Sequence, residues 1–166
     1  ALNTEPGNDE IHRNMGNVLF DLGRKDKALE HFEQAIQLRP NFWENHGALG
    51  GAWYRMGRYD RAIVSFSRVV ELQPDNIWGL QSLGTSYHAI GETENALRNY
   101  ERSMAISPNA SSATNIGTIW YGRKNYTEAL KFYELAIRLK PNKPTNYRNR
   151  GDAYLRLGEK EKARES

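Results

Sequence analysis

Asn14, Asn115 and Asn149 each stand two residues ahead of a glycine, and Asn17 stands one residue after the first of those glycines. A side-chain amide donates and accepts hydrogen bonds at once, so amides repeated at intervals can pair with the backbone of an extended segment while making little demand on its sequence. The stripe that holds them lies six, three and two residues before the glycine and one after it. It reads Glu10, Arg13, Asn14, Asn17, then Glu44, Gly47, Ala48, Gly51, then Trp78, Gln81, Ser82, Thr85. It continues as Ser111, Thr114, Asn115, Thr118, and as Thr145, Arg148, Asn149, Asp152. The stripe is polar but short of charge, and Ala48 and Ser82 interrupt the amide series. Gly47 and Gly51 form a hollow with Trp78 beside it, room for a partner to insert a side chain. Trp43 and Trp78, with Phe42 before the first, are aromatic side chains of the kind that anchor binding surfaces.

Catalytic and metal chemistry find little to build on. His12 and His46 occupy equivalent positions and read as packed residues, and His31 and His88 complete no ligand motif. With no cysteine, the chain has no disulfide, thiolate site or cysteine nucleophile. Gly47-Ala48-Leu49-Gly50-Gly51 is glycine-rich but falls inside a helical register, without the strand-to-helix turn that a phosphate cradle needs. The expectation is a non-enzymatic chain without cofactor or metal. Its 166 residues are 39% hydrophobic and carry neither a membrane-length apolar run nor a secretory signal, so no membrane association and a cytoplasmic location are expected. The net charge is only +3, but from Ala110 onward twelve Lys or Arg face six Asp or Glu. Arg123, Lys124, Lys131, Arg148 and Arg156 could meet phosphates there, with Tyr121 or Tyr126 stacking on bases.

The elements that must position these residues follow from a period. Gly16, Gly50, Gly84, Gly117 and Gly151 recur at steps of 34, 34, 33 and 34 residues, and each opens the same phrase. Four times the phrase is glycine, aromatic or Leu, alanine, aromatic, proline: Leu19, Ala28, Phe32, Pro40; Trp53, Ala62, Phe66, Pro74; Tyr87, Ala96, Tyr100, Pro108; Trp120, Ala129, Tyr133, Pro141. Tyr154 and Ala163 follow Gly151. Gly23, Gly57, Gly91 and Gly158 suit a left-handed residue that closes a first helix. The Asn after each proline (Asn8, Asn41, Asn76, Asn109, Asn142) suits an N-cap for the next helix. Each unit is therefore a helical hairpin. The core stripe of its first helix reads His12, Met15, Gly16, Leu19; His46, Leu49, Gly50, Trp53; Leu80, Leu83, Gly84, Tyr87; and Ala113, Ile116, Gly117, Trp120. Mid-helix glycine costs about 1 kcal/mol relative to alanine. Close approach of an aromatic from the next unit's second helix, such as Phe32 or Phe66, would offset it. Lys124 replaces the turn glycine of the fourth hairpin, which must then close differently, with Asn125 in the left-handed region. Arg150 takes a core position, so its guanidinium must snorkel or the fifth unit must pack loosely.

The phrase resembles the tetratricopeptide repeat over the whole chain. That resemblance implies an all-α, right-handed superhelix of antiparallel helix pairs, whose first helices line a concave groove. The candidate binding residues in that groove are Arg13, Asn14, Asn17, Gly47, Gly51, Trp78, Gln81, Thr85, Asn115, Thr118, Arg148 and Asn149, and the partner implied is a peptide or protein segment. One subfamily grips a terminal carboxylate with a basic residue and amide on one first helix, an amide on the next and two cations on the third. Arg13 and Asn17 match the opening pair, but Ala48, Trp78 and Ser82 stand where the rest is needed, so this chain is not expected to be a chaperone-tail receptor. The alternatives are nucleic-acid binding through the basic units, and a regulatory array of an enzyme whose catalytic domain lies outside the chain.

In this register residues 1–8 end a preceding repeat, 9–42, 43–76, 77–109 and 110–143 are four repeats, and 144–166 begin a fifth. Both ends fall inside a repeat, which suggests a piece of a larger protein and self-association through exposed array ends at high concentration. Light scattering over a concentration series checks this, with concentration-independent monomer as the contrary result.

Overall fold

The computed structural model describes residues 8–166, which form ten helices and no strand. These are α1 (Asn8–Asp21), α2 (Lys25–Leu38), α3 (Trp43–Arg55), α4 (Tyr59–Leu72), α5 (Ile77–Ala89), α6 (Thr93–Ile106), α7 (Ala110–Gly122), α8 (Tyr126–Leu139), α9 (Pro144–Arg156) and α10 (Lys160–Arg164). The turn expected at residues 1–8 lies, apart from Asn8, outside the described residues. The described residues fall into two compact units, the first ending at Ile90 and the second running from Gly91 to Ser166. In the first, α1 packs on α2, α3 on α4, and the pairs join through α2 with α3 and α4 with α5. In the second, α6 packs on α7, α7 on α8, α8 on α9 and α9 on α10. The fold is the expected all-α series of helix pairs.

Three-residue connections between paired helices work because the residue closing each first helix takes the left-handed conformation. Gly23, Gly57 and Gly158 have φ of 77°, 73° and 82°. After Gly23, the Arg24 amide donates to the Leu19 carbonyl at 2.8 Å while the Gly23 amide donates to that of Phe20 at 3.0 Å, satisfying carbonyls that the helix end leaves open. The fourth hairpin closes in the same way. Lys124 itself sits at φ 61°, and Asn125 at φ −87° donates its amide to the Trp120 carbonyl and caps α8 by accepting from the Glu128 amide. The expectation that Asn125 would be left-handed is therefore corrected: backbone hydrogen bonds impose the conformation on whichever residue occupies the position. A side chain there costs about 1 kcal/mol, so Lys124→Gly should raise stability by about that amount, read as a higher urea midpoint.

The capping pattern is also partly corrected. Asn76 and Asn109 accept from the Gly79 and Ser112 amides, at 2.8 and 2.9 Å. Asn8 lies inside α1, Phe42 precedes α3 and Lys143 precedes α9. Asn41 instead accepts from the Arg68 guanidinium at 3.0 Å.

Three of the phrase glycines, Gly16, Gly50 and Gly117, meet the aromatic of their own unit's second helix, not the next unit's. A Cβ on Gly16 would lie 2.6 Å from the Phe32 ring, one on Gly50 2.8 Å from Phe66, and one on Gly117 2.7 Å from Tyr133. Ala28, Ala62 and Ala129 are fully buried in the same layers. The core stripe is uneven: Leu80, Leu83, Ala113 and Ile116 are buried, but Met15 is exposed and His12 and His46 are half-buried. Another row does part of that work, because Asn45 and Ala52, Ser112 and Ile119, and Asn146 and Ala153 are all buried. In α1 the same row is Ile11 and Val18, which with Met15 and Leu22 forms an exposed apolar stripe. Arg150 resolves as a half-buried stem whose guanidinium lies 5.4 Å from the Tyr147 ring centre and donates from Nε to Ser166 Oγ.

Asn45 and Asn146 show what a neighbour decides. Asn45 Nδ2 donates to Asp9 Oδ2 at 3.1 Å and to the Ala35 carbonyl at 2.9 Å. Asn146 is equally buried and accepts from Thr114 Oγ1, but its Nδ2 has no partner among the described residues. Ala110 holds the place in its repeat that Asp9 holds in the first. Ala110→Asp should supply the missing acceptor and add favourable charge at a helix start, raising stability by about 1 kcal/mol in denaturant titration.

Candidate functional site

Within the first unit, α1, α3 and α5 bring part of the stripe together around a cavity of about 470 Å³. Arg13, Asn17, Gly47, Gly51 and Trp78 line it, as expected. Asn14, Gln81 and Thr85 lie outside the lining, and Thr85 Oγ1 donates to the carbonyl of Gln81 in its own helix. Phe20, Phe32, Trp43 and Arg55 also line the cavity. Phe20 and Arg55 escaped the sequence pattern because it stopped one residue past the glycine. Extending the stripe another helical turn, by i+3 or i+4, reaches both.

The expected hollow is half filled. Trp78 lays its ring over Gly47, where a Cβ would stand 2.9 Å from it, and sets its edge against Phe66 with ring centres 5.5 Å apart. Trp43 stands 6.0 Å from Trp78, centre to centre. Gly51 remains open, with no atom within 4 Å of where its Cβ would be.

Arg13 does not present a free cation. Its Nη2 pairs with Glu44 at 3.0 Å, its Nη1 donates to Asn45 Oδ1 at 2.9 Å and lies 3.9 Å from Asp9, and only 14% of its side chain is exposed. Arg39 reaches the buried Asp9 from the other side. Arg55 lies over the Phe20 ring and pairs with Asp21 at 2.9 Å. The cations near the cavity are therefore neutralised by the protein itself. Asn17 is exposed and its amide has no partner among the described residues.

In the second unit, Thr118, Asn149 and Asp152 from the stripe meet Tyr121 and Tyr133 around a smaller cavity of about 160 Å³. Thr118 Oγ1 donates to the Thr114 carbonyl at 2.9 Å, while Tyr133 donates its hydroxyl to Thr118 Oγ1 at 3.5 Å. Asn115 and Arg148 are outside this lining, half-buried and exposed respectively. Like Asn17, the amides of Asn115 and Asn149 have no partner among the described residues.

Burial pushes the Tyr133 hydroxyl above its ordinary pKa of 10.0, with the Thr118 hydrogen bond opposing. Burial likewise raises Tyr54 and Tyr154, the latter helped by its hydrogen bond to Glu134. The folded chain thus holds these protons more tightly than the unfolded chain, a contribution present below pH 10 and lost as pH rises through the raised values. Thermal midpoints measured from about pH 8 to 11 should fall at the alkaline end, and Tyr133→Phe should make the fall shallower.

Of the five basic residues that could meet phosphates, Arg123, Lys131 and Arg156 are engaged, whereas Lys124 and Arg148 have no partner among the described residues. Arg123 pairs with Glu94, Lys131 with Glu128, and Arg156 Nε donates to the Tyr121 hydroxyl at 3.0 Å. Tyr121 and Tyr126 pack edge to face, 5.2 Å apart. Among the described residues no three His, Asp or Glu side chains converge as metal ligands, and no helix is long and apolar enough to cross a membrane.

Family models of the tetratricopeptide repeat match four successive stretches, residues 10–42, 43–76, 80–114 and 117–158. No curated protein matches the chain. Among solved structures, MamA is 23% identical with a TM-score of 0.84, the match covering 97% of this chain and 88% of MamA. YrrB, described as a TPR protein with an unusual peptide-binding site, is 20% identical with a TM-score of 0.72, covering 93% of this chain and 80% of YrrB. PilF of Pseudomonas aeruginosa is 17% identical with a TM-score of 0.83, covering 95% and 72% of the two chains. At these identities the likeness is one of fold. Four successive matches, together with Gly16, Gly50 and Gly117 each roofed by an aromatic ring sixteen residues on, establish that this chain belongs to the tetratricopeptide repeat family.

Proposed function

We propose that the chain is a non-catalytic interaction module that holds a peptide or protein segment against the faces of its first helices, in the cytoplasm. One observation carries the reading: Asn17, Asn115 and Asn149 have amides with no partner among the described residues, and Asn17 and Asn149 line cavities in the first and second units. Free amides on a rigid helical scaffold suit backbone recognition. Family membership supports the same reading, because repeats of this kind serve as interaction surfaces. The pairing of Arg123, Lys131 and Arg156 leaves the nucleic-acid alternative with less free charge than the sequence promised.

Site-specific photo-crosslinkers test the reading. Placed at Asn17 and at Asn149 they should capture the partner, and at Val64, 72% exposed on a second helix, they should not. The double variant Asn115→Ala/Asn149→Ala should lose retention of that partner. Equal capture from Val64, or unchanged retention by the double variant, would overturn it, and salt-sensitive retention on heparin would support the nucleic-acid alternative instead.

A further inference from the structure

We infer that the cavity of the first unit takes one large uncharged side chain, aromatic or branched aliphatic, from within a partner segment, and not an acidic side chain or a chain-terminal carboxylate. This deepens the groove reading and rests on it. The walls are aromatic, with Phe20, Phe32, Trp43 and Trp78 all contributing. A ligand carboxylate would look for Arg13 and Arg55, but Glu44 and Asn45 hold the first and Asp21 holds the second. Capturing Arg13 would break contacts already made, and the charge of Arg55 is already balanced by Asp21. A ligand cation fares no better, because Glu44 is committed to Arg13 and the Phe20 face is covered by Arg55. What the cavity offers is an uncharged aromatic wall in Trp78, which is 46% exposed, and open floor over Gly51. Aromatic walls favour apolar and aromatic occupants by burial and by edge or offset stacking. Asn17 at the same cavity can pair with the backbone of the residue that inserts.

Gly51 makes the inference testable without harming the fold. Because nothing lies within 4 Å of its Cβ position, Gly51→Leu fits the helix, in which leucine is the better former, and its side chain occupies the cavity. The probe is a phage-displayed library of random dodecapeptides, free at neither end, selected on the full chain alone, with each selected peptide then titrated against Gly51→Leu. Selected peptides should share one Trp, Phe, Leu or Ile. Substituting that residue by Asp, or filling the cavity with Gly51→Leu, should each weaken binding at least tenfold, while the urea midpoint of the variant is unchanged or higher. Tryptophan fluorescence should change on binding and lose that change in Trp78→Phe. Peptides that crosslink at Asn17 but are enriched in Asp or Glu, or bind Gly51→Leu equally well, would overturn the inference and leave the groove reading standing. Peptides that crosslink only at Val64 would overturn both.

Discussion

Asn45→Ala should lower the stability of the first unit by about 3 kcal/mol, among the largest effects expected for a single substitution in this chain. Asn45 is fully buried and uses both ends of its amide: Oδ1 accepts from Arg13, and Nδ2 donates to Asp9 and to the Ala35 carbonyl. Alanine removes all three hydrogen bonds at once. It also leaves Asp9, 1% exposed, with weaker compensation, because its remaining contacts are Arg39 at 3.5 Å and Arg13 at 3.9 Å. Removing one partner of a buried charge costs more than the bond itself contributes, since the charge stays desolvated. For a chain of this length the thermal midpoint should drop by about 6–12 °C. Asn45 ties α3 to both helices of the preceding pair, and repeat stability is nearly a sum of neighbour contacts. Amide exchange should therefore accelerate first in α1 and α2, while α4 stays protected. Uniform acceleration across the unit would contradict this account.

Gly117→Val should cost about 3 kcal/mol, in contrast to Gly51→Ala, which should gain up to about 1 kcal/mol. Both glycines lie inside first helices, Gly117 on the core stripe and Gly51 on the other. A Cβ on Gly117 would stand 2.7 and 2.8 Å from two carbons of the Tyr133 ring and 3.2 Å from the Ala129 carbonyl. Tyr133 is 2% exposed and cannot swing aside, and the backbone of α8 would have to move with it. Valine adds two methyl groups to that clash. At Gly51 nothing lies within 4 Å, so only the helix preference remains. Urea midpoints of the pair decide the matter, and the double variant Gly117→Ala/Tyr133→Leu should recover part of the stability that Gly117→Ala loses.

Much of the fold was legible because the contacts that define it are close in sequence. Gly16 and Phe32, Gly50 and Phe66, and Gly117 and Tyr133 are each sixteen residues apart, within a single hairpin, so the 34-residue period displays them directly. The turn glycines were legible for the same reason. Lys124 was misread because the rule was applied to the residue type, whereas the left-handed conformation belongs to the position and its two backbone hydrogen bonds. The Asn caps were misread where a longer-range partner, Arg68 for Asn41, competes for the side chain.

The candidate site was less legible, and one spacing explains why. Glu44 lies 31 residues after Arg13, and Trp78 lies 31 residues after Gly47. In both pairs the first residue of the stripe on one first helix comes to rest on the second residue of the stripe on the helix before it. The first contact neutralises a cation that looked ready to hold a carboxylate, and the second fills half of a hollow that looked empty.

By itself the sequence determined the repeat and the register of its helices, because helix periodicity and hairpin packing are local properties, and the family resemblance then implied which stripe of residues faces a partner. Only the tertiary structure decided which of those residues remained free to act. That choice depends on how long side chains from successive first helices settle against one another, where several rotamers are open to each and the neighbour on the next repeat selects among them. Among the described residues Asn17, Gly51, Asn115 and Asn149 were left open, while Arg13 and Gly47 were used by the protein itself.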